Sequence, residues 1–123
     1  MAHERQTFGH RAEDLAARFL RRRGYRILER NYRNPLGEID IIARDGKTLV
    51  FVEVKARRSS RFGGAKAAVG ARKQRQIARV ALWYLKATDQ MGARARFDVV
   101  AIDGPGLETD GIEIIANAFS LPE

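Results

Sequence analysis

The sequence predicts a mixed α/β domain in which a central mixed β-sheet is flanked by helices, in the element order αβββαββ. Two segments, at about 8–23 and 71–87, repeat apolar residues at helical spacing. Two neighbouring segments rich in Ile, Val and Phe flank Asp45-Gly46, a dipeptide typical of β-hairpin turns. Because helical and strand-like segments are interspersed, we expect a sheet that is covered by helices.

The chain is predicted to begin with a helix and a strand. The helix runs from about Phe8 to Arg23, and Gly24 is a typical helix stop. Its apolar residues recur at helical spacing and are Ala12, Leu15, Ala16, Phe19 and Leu20. A short strand follows from Tyr25 to Arg33, because Asn34-Pro35 then breaks the pattern.

The second half of the chain contains a loop, a helix and two strands. The loop at 57–70 is rich in Gly, Ser and cations, and the helix runs from about Ala71 to Ala87. The buried stripe of this helix is Ile77, Val80, Ala81, Tyr84 and Leu85, with Trp83 on its flank. Strands are predicted from Arg96 to Ile102 and from Ile112 to Ala116.

The two clearest strands, Gly37 to Arg44 and Thr48 to Lys55, are expected to pair around Asp45-Gly46. A two-residue turn at this dipeptide pairs residues whose numbers sum to 91. The cross-strand partners in this register are Arg44 with Lys47, Asp40 with Phe51, and Glu38 with Glu53. A four-residue loop preserves the same parity, whereas a three-residue turn would place Asp40 and Glu53 on opposite faces.

Parity divides the side chains of this hairpin between two faces. One face is uniformly apolar and is expected to lie against a core; it holds Ile39, Ile41, Val50, Val52 and Val54. The other face holds Ile42, Phe51 and three charged residues, which are Asp40, Glu53 and Lys55. Asp40 and Glu53 become diagonal neighbours, roughly 7 Å apart at the backbone.

Two carboxylates at this separation repel each other, and each raises the proton affinity of the other. A divalent cation between Asp40 and Glu53 would remove the repulsion, and Mg²⁺ or Mn²⁺ prefers oxygen ligands. The ammonium group of Lys55 would orient an attacking water or neutralise charge on a phosphate. The alternative is a solvated strand face on which Glu53 pairs with Lys55 or with a nearby Arg. The apolar sequence around these charges favours a site.

The charge distribution favours a polyanionic partner. All 23 Lys and Arg residues precede Phe97, together with nine of the 15 acidic residues, so residues 1–96 carry a formal charge of +14. Such a surface attracts nucleic acid by counterion release. Solubility, or a surface that faces a ribosome or a lipid, is the alternative explanation.

Cations close to the hairpin in sequence are the candidate nucleic-acid contacts. They are Arg57, Arg58, Arg61 and Lys66 in the loop, and Arg72, Lys73 and Arg75 on the second helix. Few aromatic residues interleave with these basic runs, which argues against a base-stacking platform. Phosphate contacts with duplex or branched DNA fit better, and RNA is also compatible.

Length and composition indicate one domain, residues 1–123, with a core at about 8–118. The chain has no cysteine, which excludes disulfides and cysteine-based zinc sites. No apolar run approaches the roughly 20 residues that a membrane helix needs. Residues 1–6 contain no apolar signal core. We therefore expect a cytoplasmic protein without a membrane segment.

Three sequence strings together resemble the YraN-like family of endonuclease-like proteins: Gly37-Glu38-Ile39-Asp40, Leu49-Val50-Phe51-Val52-Glu53-Val54-Lys55, and Phe62-Gly63. That family is assigned to the PD-(D/E)XK nuclease superfamily and is similar to archaeal Holliday junction resolvases. The resemblance extends from Gly9 to the strand that contains Asp98. It implies a restriction-endonuclease-like core and, because the resolvases act as dimers, a homodimer.

The resemblance also implies residue roles. Asp40 and Glu53 match the two metal-binding acids, and Lys55 matches the catalytic lysine. Glu13 matches an acidic residue of the first helix that completes the metal site; a first-turn acid favoured by the helix dipole is the alternative. Gln74 matches a supporting polar residue, or is simply a helix-terminal amide.

Two residues on the predicted strands keep open roles. Glu38 either supports the site or pairs with a surface Arg. Asp98 is also a candidate partner of an Arg, and its role is undetermined.

The predicted function is metal-dependent endonucleolytic hydrolysis of phosphodiester bonds in DNA, including branched or damaged DNA, with Mg²⁺ or Mn²⁺ as cofactor. Two alternatives belong to different classes. The first is a non-catalytic nucleic-acid-binding module on a nuclease fold. The second is a basic domain that docks on an acidic protein.

Overall fold

A computed structural model describes residues 2–57, 69–103 and 111–119, and within the first range it describes the side chains of residues 9–56. The elements are α1 (Ala2–Arg22), β1 (Arg26–Asn34), β2 (Gly37–Asp45), β3 (Thr48–Arg57), α2 (Ala71–Ala87), β4 (Ala95–Asp103) and β5 (Ile112–Phe119). The predicted order αβββαββ is confirmed. Helix α2 has the predicted bounds, whereas α1 begins six residues earlier than predicted and β5 extends three residues further.

The five strands form one mixed sheet in the order β1-β2-β3-β4-β5. Strands β3 and β4 are parallel, and the other neighbouring pairs are antiparallel. A parallel pair needs a long crossover connection, which here contains α2. The mixed α/β class with helices flanking the sheet is therefore confirmed, and it is compatible with a restriction-endonuclease-like fold.

Helix α1 ends in a Schellman motif. Gly24 has φ 90, its backbone N–H donates to the carbonyl of Arg21, and the N–H of Tyr25 donates to the carbonyl of Leu20. This confirms Gly24 as the helix stop, because a positive φ is accessible to glycine at little steric cost. Within the described residues, neither helix is long and apolar enough to cross a membrane.

Each helix covers one face of the sheet over its own core. The α1 core contains the small and branched residues Ala12, Ala16, Ala17, Leu20, Ile41, Ala43, Val50, Val52, Val100 and Ile102. The α2 core contains larger residues, which include Ile42, Leu49, Phe51, Ile77, Val80, Tyr84 and Phe97. The central strands are buried on both faces, which explains why β3 and β4 are almost continuously apolar in sequence.

The hairpin register differs from the predicted one. The outermost pair is Asp45 with Thr48, so paired residues sum to 93 and the turn is Gly46-Lys47 rather than Asp45-Gly46. Gly46 has φ 61, which primed hairpin turns require. Asp45 stays in the strand, where its carboxylate accepts a hydrogen bond from Arg96 at 2.8 Å. The pairing predicted from a sum of 91 is therefore wrong, although its parity is preserved.

The corrected register changes the neighbours of the two carboxylates. Phe51 pairs with Ile42 rather than with Asp40, and the last pair of the ladder is Ile41 with Val52. Continued by one residue, this register brings Asp40 level with Glu53 rather than diagonal to it. The shift therefore brings the two acids closer along the strands than the predicted register does.

The alternation of side chains along β2 is interrupted at Asp40. Ile41 packs in the α1 core as predicted, but Ile39 packs in the α2 core, so its assignment to the same apolar face is wrong. Asn31 of β1 lies between the partners of these two residues and has φ 53, far from extended backbone. This local irregularity disturbs the two-residue period of the neighbouring strand.

Candidate active site

Asp40 lies where β2 and β3 separate. Beyond the last pair of their ladder, Asp40 Oδ2 accepts the backbone N–H of Val54 at 2.8 Å. The side chain thus provides the acceptor that a paired strand would otherwise supply. Burial raises the pKa of Asp40 above its ordinary value, although the Val54 hydrogen bond and the charges of Lys73 and Lys55 act in the opposite direction.

Glu53 is the other buried acid at this point of the sheet and is 5% exposed. Its Oε1 lies 3.6 Å from Lys55 Nζ and 3.8 Å from Lys73 Nζ. Burial and then the charge of Asp40 raise the pKa of Glu53 to about 7, against the effect of both lysines. Charge-assisted N–H to O bonds are about 2.7–2.9 Å long, so both lysine contacts of Glu53 are longer than such bonds.

Glu13 approaches the same place from α1. The amide nitrogen of Asn31, in the orientation that satisfies its hydrogen bonding, donates to Glu13 Oε1 at 2.8 Å and Oε2 at 3.2 Å. Burial and then the charge of Asp40 raise the pKa of Glu13. Glu13 therefore lies close enough to Asp40 for the two carboxylates to interact.

A pocket of about 540 Å³ opens between α1 and the β2–β3 edge. Its polar lining is Glu13, Asn31, Arg33, Glu38, Asp40 and Lys55. Glu38 pairs with Arg33 at 2.9 Å and lines the pocket, so both roles considered for it are compatible with its position. The structure thus brings Glu13, Asp40 and Lys55 together in one pocket, and Glu53 contacts Lys55.

The donor atoms of this site fit a hard divalent cation. Carboxylate oxygens are the ligands that Mg²⁺ prefers, and Mg²⁺ is often held by only one or two carboxylates together with water. Among the described side chains, no group of three or more His, Cys, Asp and Glu lies close enough to hold a metal ion. Asp40 and Glu53 supply carboxylate oxygens of this kind, while Glu13 does not complete a three-residue group with them in this conformation.

The other predicted residues occupy separate places. Gln74 donates its amide to the carbonyl of Val69 at 3.1 Å, which matches the helix-terminal alternative. Arg72 and Arg75 are exposed on α2, whereas Lys73 turns toward Glu53. The loop cations predicted to contact nucleic acid lie outside the described residues; they are Arg58, Arg61 and Lys66, together with the side chain of Arg57.

Two members of the site were missed from the sequence. Asn31 positions Glu13, and the signal available for it was an Asn inside a strand, since Asn is depleted in strands and tolerates positive φ. Lys73 was predicted to contact nucleic acid, but it neutralises part of the charge on Glu53. No local pattern distinguishes it from its neighbours, because its position depends on how α2 packs on the sheet.

A second buried acid, Asp98 on β4, is 0% exposed and has a different environment. It accepts hydrogen bonds from Arg96 Nε at 3.0 Å, the Tyr25 hydroxyl at 3.0 Å and the backbone N–H of Asn117 at 2.9 Å. Arg96 also donates to Asp45 on the hairpin. Arg96 is thus the arginine partner that the sequence analysis considered for Asp98. The network joins β4 to Tyr25, which precedes β1, to Asp45 at the end of β2, and to β5.

Comparison with known proteins gives a family. Residues 12–102 match the family described as uncharacterised protein family UPF0102. The chain is 54% identical to a UPF0102 protein of Desulfosudis oleivorans, over 97% of this chain and 94% of that protein. It is 50% identical to one of Geobacter sulfurreducens, over 98% and 94% of the two chains, and 45% identical to one of Moorella thermoacetica, over 97% and 100%. These names state no activity. A family match over most of the chain and identities of this size show that the chain belongs to UPF0102.

Proposed function

We propose that this protein is a metal-dependent endonuclease that hydrolyses phosphodiester bonds of DNA. The observation that supports this most is the pair formed by the half-buried Asp40 and the buried Glu53, which interact electrostatically with each other and with the same two lysines, Lys55 and Lys73. A buried acid with a pKa of about 7 beside a second acid and a pocket is typical of a functional site.

The residues of the chain divide the chemistry between them. Asp40 and Glu53 hold Mg²⁺ or Mn²⁺, which when bound neutralises charge on the phosphate and lowers the pKa of water. Lys55 lines the pocket and donates hydrogen bonds to a phosphate oxygen or to the attacking water. Lys73 limits the charge on Glu53, and Asn31 orients Glu13 at the side of the pocket.

DNA is the proposed substrate because of the charge distribution. Residues 1–96 carry a formal charge of +14, although the carboxylates of the site lie within them. The cations Arg72 and Arg75 are exposed on α2, the same helix that carries Lys73 to the site. Phosphate contacts of this kind position a nucleic acid without reading its sequence, so weak sequence preference is expected.

The test is a cleavage assay with plasmid, flap and four-way-junction DNA in the presence of Mg²⁺, Mn²⁺ or EDTA. We expect cleavage with a divalent cation and none with EDTA. Asp40→Asn, which keeps the size of the side chain, is expected to lower the rate by about 10²-fold or more, as is typical when a group that stabilises the transition state is removed. Lys55→Met is expected to act in the same direction.

Matched controls use the same chemical changes on exposed residues. Asp89→Asn follows α2, where Asn tolerates the positive φ of 55, and Lys47→Met lies in the hairpin turn. Both variants are expected to cleave at the wild-type rate. Equal cleavage by Asp40→Asn and the wild type, in preparations free of other nucleases, would reject the assignment. Salt-sensitive binding with no cleavage of any substrate would favour a non-catalytic nucleic-acid-binding module.

A further inference from the structure

The outer face of α2 carries a single stripe of cations with an aromatic residue among them. Positions i, i+3, i+7, i+11 and i+14 of one helix face are occupied by Arg72, Arg75, Arg79, Trp83 and Lys86. All five are exposed. At 1.5 Å per residue the stripe is about 21 Å long, which matches about six stacked nucleotides at 3.4 Å each.

Trp83 lies in an apolar groove on this face. It is 43% exposed, and its groove is also lined by Leu36, 44% exposed, and Met91, 55% exposed. These three are the exposed large hydrophobic residues among the described side chains. A neighbouring groove, lined by Arg72, Arg75, Gln76 and Arg79, shares Leu36 and Arg79 with the first, so a basic surface leads directly into an apolar one.

Several cations of the described residues are paired with carboxylates, which leaves them less available to an anionic ligand. Arg30, Arg33, Lys55, Lys73 and Arg96 each form an ion pair with a carboxylate. The four cations that line the two grooves form no ion pair with any described residue, and no carboxylate lines either groove. Among the residues that the structure describes, this positive charge has no carboxylate partner, and it lies beside an exposed indole ring.

We propose that this stripe is a binding site for a nucleic-acid strand with unpaired bases, in which Trp83 stacks on a base and the flanking arginines and Lys86 bind phosphates. The site rests on the proposed function only in that its ligand is nucleic acid. Every base has a flat π face that stacks on an aromatic side chain, and the backbone carries one negative charge per nucleotide. An apolar groove joined to an anion-binding one suits both parts of a nucleotide.

Charge complementarity distinguishes this ligand from a second copy of the chain. In a symmetric dimer formed through this face, the same surface of both copies would meet, so the four cations of one copy would face the four cations of the other. Like charges across an interface cost several kcal/mol. The stripe also modifies what the sequence indicated, because one aromatic residue does stand among the cations once the helix presents them on one face.

Trp83 is the single tryptophan of the chain, so its fluorescence reports directly on this site. The wild-type protein is titrated in EDTA, which prevents cleavage, with a single-stranded oligonucleotide, a flap DNA and a blunt duplex of equal length. We expect quenching by the single strand and the flap, and much weaker quenching by the duplex. No change of fluorescence at saturating single strand would overturn the proposal.

Two substitutions at the same position separate stacking from apolar contact. By anisotropy of labelled single strand, Trp83→Leu, which keeps apolar bulk, is expected to weaken binding by about 5- to 150-fold, the range for loss of one stacked base. Trp83→Phe is expected to retain most of the affinity. The loss of affinity in Trp83→Leu should be similar at low and high salt. Arg79→Ala should instead reduce the slope of log affinity against log salt concentration by about one, because one phosphate contact is lost.

Other outcomes would overturn the inference. If Trp83→Leu binds single strands with the affinity of the wild type, the groove would be assigned to a protein partner instead. If Trp83→Leu dissociates a dimer, the groove would be assigned to the contact with a second copy of the chain. Because binding is measured without cleavage, the two proposals fail separately. Loss of binding in Trp83→Leu with no nuclease activity in the wild type would reject only the nuclease.

Discussion

Asp98 on β4 and Glu53 on β3 are buried acids on neighbouring strands, yet their surroundings differ sharply. Asp98 accepts three hydrogen bonds of 2.9–3.0 Å from Arg96, Tyr25 and the backbone of Asn117. Glu53 has two lysine nitrogens at 3.6 and 3.8 Å and a second acid nearby, and burial with the charge of that acid raises its pKa to about 7. Among the described residues, Asp98 has short hydrogen bonds from three partners, whereas Glu53 has only the longer contacts with the two lysines.

Under the proposed function, the difference separates a structural charge from a catalytic one. A buried charge is tolerated when an ion pair and hydrogen bonds replace its hydration, and the Asp98 network does this with groups from three strands and from Tyr25. Asp40 and Glu53 are held beside a pocket with their repulsion only partly offset. Local conflicts of this kind are expected where a ligand supplies the missing partner.

Removal of the satisfied acid should cost the most stability. Asp98→Ala leaves the buried side of Arg96 without its main partner, so we expect a loss of about 3–5 kcal/mol in the free energy of unfolding, measured by urea denaturation. Asp45→Ala, which removes the more exposed partner of Arg96, should cost less. A loss below about 1 kcal/mol for Asp98→Ala, the range of surface ion pairs, would show that the network is not a structural element.

The pH dependence of stability should reveal the unsatisfied acid. The pKa of Glu53 rises from 4.5 to about 7 on folding, so between these values the folded protein binds a proton that the unfolded chain has lost. Stability should therefore fall as pH rises through this window, by about 3 kcal/mol at 1.36 kcal/mol per pKa unit.

Glu53→Gln is the matched variant for this measurement, because it removes the titration and keeps the size of the side chain. The difference in unfolding free energy between the wild type and Glu53→Gln should change between pH 4.5 and 7 and be constant above. A difference that does not depend on pH would contradict the raised pKa.

Asp40→Asn should stabilise the protein at neutral or higher pH. The amide oxygen still accepts the Val54 N–H, while the repulsion between Asp40 and Glu53 is lost. We expect a gain of about 1 kcal/mol, since one pKa unit of interaction corresponds to 1.36 kcal/mol. Thermal unfolding at pH 8 measures it, and added Mg²⁺ should raise the Tm of the wild type more than that of the variant. A destabilised Asp40→Asn would show that the contacts of Asp40 with the lysines outweigh its repulsion with Glu53.

The smallest effect is expected at Glu38. It pairs with Arg33 at the exposed rim of the pocket, so Glu38→Gln should change the free energy of unfolding by less than about 1 kcal/mol. Arg33→Gln serves as the control for the same pair. A large loss of stability in urea denaturation for either variant would show that this ion pair, like the Asp98 network, contributes strongly to the stability of the fold.

Local patterns in the sequence were sufficient for the element order and for part of the site. Helix α2 has the predicted bounds because its apolar spacing is regular, and Gly24 ends α1 because a Schellman motif needs a positive φ. Asp40, Glu53 and Lys55 stood out because charges interrupted strands that are otherwise apolar. Parity survived the error in register, since moving the turn by one residue changes the pairing sum by two.

What the sequence by itself determined is therefore the order of helices and strands, the charged residues of the hairpin, and the strongly basic surface. Only the tertiary structure decided that Lys73 faces Glu53, that Ile39 changes sides, that Asp98 is bound by groups distant in sequence, and that Trp83 stands exposed among cations. The physical reason is the separation in sequence of the residues that determine each feature. Backbone conformation and apolar periodicity depend on neighbours within a few residues, whereas these contacts depend on how α2 and the strands pack against each other.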